Sequence, residues 1–175
     1  MVIGANKKNI VIGILGLCAG VWEYVNRPLN STYFLERCKF IEQYSCFLPD
    51  IYGKLGGWVP EFFHAFSFSL ISIGLFSKTK KSRRLFCFLW FGINSLFEIG
   101  QNYGHQILPW IPSWFNKIPV LENTGAYFIN GNFDIFDILA ALLGAFMAYV
   151  VGELTVKCCS IENEKIDTST DFSNC

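Results

Sequence analysis

Four apolar segments of about 16 to 22 residues constrain this chain more than any other feature. NIVIGILGLCAGVWEYV covers roughly residues 9–25, and LGGWVPEFFHAFSFSLISIGLF roughly 55–76. LFCFLWFGINSLFEIGQ covers roughly 85–101, and FDIFDILAALLGAFMAYVVGEL roughly 133–154. Each is close to the roughly 20 residues that a helix needs to cross a hydrocarbon core about 30 Å thick. The composition agrees: only 16% of residues are charged, against about 25% in soluble domains. The pattern predicts an all-α, four-transmembrane-helix integral membrane protein with one domain over residues 1–156. A polar cytoplasmic tail, 157–175, is expected to be disordered. The first and third segments are short, so Trp22, Tyr24 and Trp90 are expected to anchor their ends at the interface. The first segment reads as a retained anchor, the alternative being a signal peptide cleaved after a small residue such as Gly20.

Orientation follows from lysine and arginine. The link KTKKSRR, residues 78–84, holds five of the fourteen basic residues, and the connection 102–132 holds only Lys117. The basic link is therefore expected on the cytoplasmic side. Both termini then lie inside, and the two longer connections, about 26–54 and 102–132, are extracytoplasmic. Formal net charge is zero, so no basic excess points to nucleic acid. Cys38 and Cys46 fall in the first outer connection, where an oxidising compartment allows a disulfide between them.

In this topology the strongly polar residues of the helices gather in the outer half. Asn94, Glu98 and Gln101 stand at i, i+4 and i+7 on one helical face. Glu61 and His64 are three apart, as are Asp134 and Asp137. On the fourth segment Asp137 shares a face with Ala141, Gly144 and Ala148, and Ala140, Gly144, Ala148 and Gly152 form a ladder of small residues. Small residues let helices approach closely in lipid, so Asp137 is expected on a packed face. His64, Glu98, Gln101, Asp134 and Asp137 form the expected ligand-binding set, with His105 and Glu122 of the second connection as further polar candidates. Plainer readings stand beside this one. Asp134 and Glu61 could each complement a helix N-terminus, and His64 could hydrogen-bond a neighbouring helix.

A buried carboxylate near a histidine can act as acid and base, since burial raises its pKa. A polar vestibule can equally bind a head group from the outer leaflet. Glu-x-x-His occurs once, whereas di-iron bundles use it twice, so no metal and no cofactor are expected. No phosphate loop, nucleophile elbow or CxxC pair is present.

Three stretches together resemble the VanZ-like family of bacterial membrane proteins: PEFFHAFSFSL, LFEIGQ and GNFDIFDILAALLGA. The resemblance covers roughly residues 55–152, and His64, Glu98, Gln101 and Asp137 match the polar positions of the family pattern. The sequence departs from that pattern at Asn132, where many members carry arginine, and at Ala141, where many carry asparagine. The resemblance implies a small multi-pass protein of the bacterial cytoplasmic membrane, in contact with membrane lipids. The family's namesake is associated with low-level resistance to teicoplanin, so an effect on the cell envelope and on glycopeptide susceptibility is implied. Two function classes follow. One is a non-enzymatic protein whose vestibule binds a lipid or amphiphile head group. The other is an intramembrane enzyme acting on a lipid-linked or lipid head-group substrate, with Glu98 or Asp137 as acid or base and His64 as its partner. One chain or a pair of chains could supply the vestibule walls.

Overall fold

The computed structural model describes residues 5–26, 52–118 and 121–171, beyond Val156 as backbone alone. Cys38 and Cys46 lie outside these residues, and so does the disulfide expected between them. All regular structure among the described residues is helical. The long helices are α1 (Lys7–Asn26), α2 (Val59–Phe76) and α3 (Lys80–Gln101). After α3 come two short helices, α4 (Gly104–Ile107) and α5 (Thr124–Asn130), then the long α6 (Ile135–Asp171). Single 3-10 turns precede α2, at Gly53–Gly57, and punctuate the connection from α4 to α5.

Local chemistry explains the boundaries. α2 opens with Pro60 in its first turn, where a missing N–H costs nothing. α3 starts at Lys80 rather than near residue 85 because Thr79 and Ser82 form a capping box. The Thr79 hydroxyl accepts from the Ser82 N–H at 3.1 Å, and the Thr79 N–H donates to the Ser82 hydroxyl at 3.2 Å. The cap draws Lys80, Lys81, Arg83 and Arg84 into the opening of the helix, where its dipole disfavours positive charge. Arg83 is compensated: it is buried, and its Nε donates to Glu153 Oε1 of α6 at 2.8 Å. At the other boundary, no glycine or proline occurs between Gly152 and Asp171. α6 accordingly runs past the expected domain edge at 156.

α2 is the central helix, with α1 on one side and α6 on the other, and α3 packs against α6 and α2. α1 runs antiparallel to α2, since the Asn6 N–H donates to the Gly74 carbonyl and Gly20 faces Phe63. A Cβ at Gly13 would lie 2.9 Å from the Ser67 carbonyl oxygen, so this seam is closed by glycine. α6 runs parallel to α2, with Gly144 against Phe62 and Gly152 against Ile73. Ala141, Gly144, Ala145, Ala148 and Gly152 are buried there, while Ala140 is only half-buried. The expected ladder is therefore displaced towards Ala141 and Ala145.

The interior is small and partly polar, and the exterior is large and apolar. Ser67 and Ser69 are fully buried, whereas Phe88 is 71% and Leu96 69% exposed. Among the described residues two helices, α2 and the stretch Ile135–Val156 of α6, are long and apolar enough to cross a membrane.

Buried polar groups are not confined to the Glu98 end, as the sequence had implied. At the far end stand the Arg83–Glu153 pair and the fully buried Asn9, whose Oδ1 accepts from the Thr155 hydroxyl at 2.7 Å. Trp90 is not an interfacial anchor either. Its indole stacks on Phe68 at 4.7 Å and donates to the Ser72 hydroxyl at 2.9 Å. Removing one partner of a fully buried ion pair costs about 3–5 kcal/mol, because the other charge is stranded. Glu153 is 17% exposed, so Arg83→Met is expected to cost less, about 2 kcal/mol. Thermal unfolding in detergent checks this, and the double variant Arg83→Met/Glu153→Met should recover most of the loss.

Candidate functional site

The last turn of α3 and the start of α6 meet beneath α5. Glu98, 4% exposed, uses both carboxylate oxygens there. Oε1 accepts from the backbone N–H of Asp134 at 2.7 Å, and Oε2 accepts from Gln101 Nε2 at 3.0 Å. Gln101 Nε2 also donates to the Tyr127 hydroxyl oxygen at 2.7 Å. The i, i+3 spacing of Glu98 and Gln101 thus builds one hydrogen-bonded unit, which reaches across to α5. Asn94 does not join it, because its amide donates to its own helix at the Trp90 carbonyl, 2.8 Å away.

Asp134 caps α6. Its Oδ1 accepts from the Phe136 N–H at 2.9 Å, the geometry that satisfies an orphan donor at a helix start. Its Oδ2 accepts from the Trp58 indole at 3.1 Å, tying the start of α6 to the start of α2. The Trp58 and Phe136 rings lie 5.1 Å apart beside this bond. For Asp134, helix capping is the role the geometry displays. Glu61 likewise sits in the first turn of α2.

Tyr127 also feels the remaining acids. Burial pushes its hydroxyl pKa upward, and the negative charges of Glu98, Glu61 and Asp137 push it the same way, against the lowering effect of the Gln101 bond. The phenol therefore stays protonated while its oxygen accepts from Gln101. Carboxylates on α2, α3 and α6 thus act through their charge on one neutral hydroxyl. Asp137 is half-buried one turn into α6, on the side of Ala141 and Gly144. His64 is half-buried on α2, with its ring 6.1 Å from that of Phe68. His105 is exposed in α4, and Glu122 is half-buried in the turn before α5.

The covering connection is packed against this end. Phe128 is buried and lies over Gly100, where a Cβ would come within 2.6 Å of its ring, and the Phe97 ring is 5.5 Å away. Trp58 and Tyr127 are the members that spacing did not mark. Their only sequence signal is their type, an aromatic body with a polar tip that seeks a partner when buried.

The donors that reach Glu98 and Asp134 are neutral: a backbone N–H, a carboxamide and an indole. Such donors hold carboxylates in place without bringing a countercharge to them. Among the described residues no three His, Cys, Asp or Glu side chains converge so as to hold a metal ion. No family model matches the chain, and neither a curated protein nor a solved structure matches it.

Proposed function

We propose that this chain is a four-span, N-in/C-in, VanZ-like protein of the bacterial cytoplasmic membrane. Its Glu61, Glu98 and Asp137 cluster binds the cationic head group of a lipid or amphiphile reached from the outer leaflet. Through that ligand it alters envelope properties, glycopeptide susceptibility among them. Support for the membrane reading comes from the inverted distribution of residues, with serine and glycine inside and phenylalanine and leucine outside. In water that surface would be a liability, whereas in lipid it is the ordinary exterior of a bundle. The alternating direction of α1, α2, α3 and α6 supports four crossings, and the basic opening of α3 supports a cytoplasmic face at that end.

The observation that carries the ligand reading is the combined charge of three carboxylates, Glu61, Glu98 and Asp137, felt at the protonated Tyr127. A site of that charge at the outer rim favours an amine or quaternary ammonium group over a phosphate. An intramembrane enzyme with Glu98 as base and His64 as partner is less well supported. Both Glu98 oxygens accept from N–H donors, and no hydrogen bond joins Glu98 to His64 among those the structure describes for Glu98.

The test is native mass spectrometry of the gently extracted full chain beside Glu98→Gln and Asp137→Asn. Wild type is expected to carry an amine-bearing amphiphile. Glu98→Gln and Asp137→Asn should each retain about fivefold less, equivalent to about 1 kcal/mol. A folded wild type carrying no amphiphile, or an Asp137→Asn variant carrying as much, would sink the reading.

A further inference from the structure

Towards the end of the bundle that carries Arg83, α3 and α6 part to leave a groove of about 200 Å³. Cys87 and Ala145, both buried, form its floor. Its lips are Phe88, Leu142 and Phe146, which are all exposed, so the groove opens sideways along the bundle. Arg84 and Tyr149 stand at one end, the guanidinium 5.8 Å from the centre of the tyrosine ring. The other end reaches Phe91 on α3, about 10 Å away at the rise of an α-helix.

The charges are set at one end only. Arg84 is exposed, and Lys80 and Lys81 are exposed one turn before it. The neighbouring carboxylate, Glu153, pairs with Arg83 at 2.8 Å, and its single charge is shared with Lys80 and Arg84, so positive charge is in excess at this end. A narrow apolar slot that terminates in exposed cations fits a molecule with an alkyl chain and an anionic head. Basic pockets between membrane helices on the cytoplasmic side bind such head groups, each cation near the surface contributing on the order of 1 kcal/mol. A second copy packed through this same face fits less well, because the groove lining holds no carboxylate to meet Arg84.

We propose that this groove is a binding site for an anionic phospholipid of the leaflet at the basic end, with an acyl chain between α3 and α6 and its phosphate on Arg84, Lys80 and Lys81. The proposal rests on the multi-pass reading and is independent of what the Glu98 cluster binds.

The experiment begins with an alkaline carbonate wash of membranes holding the full chain. Release into the wash would overturn the multi-pass reading and this site with it. The retained chain is then reconstituted in phosphatidylcholine vesicles containing phosphatidylglycerol, extracted gently, and its bound lipids are counted by native mass spectrometry. Wild type is expected to hold phosphatidylglycerol about fivefold over its share of the vesicle, equivalent to about 1 kcal/mol. Arg84→Gln should lower the preference, and Leu142→Trp, which fills the slot from an exposed edge, should lower retention of the lipid itself. Equal retention of the two lipids, or a preference unchanged in Arg84→Gln, would overturn the site while leaving the multi-pass reading intact. A dimer that Leu142→Trp dissociates with no change in bound lipid would assign the groove to a second copy and overturn the proposal as well.

Discussion

Glu98→Ala is expected to lower the stability of the folded chain by about 3–5 kcal/mol, while Glu98→Gln keeps most of it. Hydrogen bonds to an ionised group are worth about 1.5–3 kcal/mol each, and Glu98 makes two, to the Asp134 N–H and to Gln101. Alanine deletes both and strands the Asp134 N–H in a buried place. Glutamine retains one carbonyl oxygen for that N–H. Its new amide then faces Gln101, which can turn over so that its own oxygen accepts, with the Tyr127 hydroxyl becoming the donor. Thermal unfolding of the purified variants in detergent, followed by tryptophan fluorescence, separates these outcomes. A Glu98→Gln variant as unstable as Glu98→Ala would mean that the charge itself holds the junction.

Gly144→Ala is the second large effect expected. The added Cβ would meet the Phe62 carbonyl oxygen, with the Phe66 nitrogen only 3.2 Å away. These are backbone atoms of α2 and cannot rotate aside, so the two helices must separate along a parallel seam that continues to Ile73 and Gly152. Overpacking usually costs about 1–3 kcal/mol, and a backbone obstacle puts this substitution at or above the upper figure. Gly92→Ala is the control. Nothing lies within 4 Å of its added Cβ, so the helix should gain up to about 1 kcal/mol from losing a glycine. The fraction remaining monodisperse on size exclusion after heating reports both variants. Equal survival of Gly144→Ala and wild type would mean that α2 and α6 are not in contact at this level.

The four long helices among the described residues were legible because long apolar runs leave few other solutions. Glu98 and Gln101 were legible as one unit because helical spacing puts them on a common face. What escaped was governed by contacts distant in sequence or by local capping. Arg83 reads as part of a solvated basic link until Thr79 and Ser82 draw it into a helix, and its partner Glu153 lies 70 residues away. Tyr127 joins the cluster through Gln101 across 26 residues, and Trp58 reaches Asp134 across 76. Trp90 resembled an interfacial residue by type alone, yet Ser72 and Phe68 offered its indole an interior partner. In α1 the glycines at 13, 16 and 20 carried the seam with α2, a pattern as strong as the one noticed in α6.

The two poles of α3 are fastened by one and the same later helix. Glu98 at its end waits for Asp134, 36 residues downstream, and Arg83 at its start waits for Glu153, 70 downstream. A chain emerging from the ribosome therefore has α1 and α2 able to zip together along their glycine seam first. α3 meanwhile holds a cation and a carboxylate with neither partner yet made. Its final seating belongs to the last stage of assembly, when α6 is drawn in beside α2 and latches both ends at once.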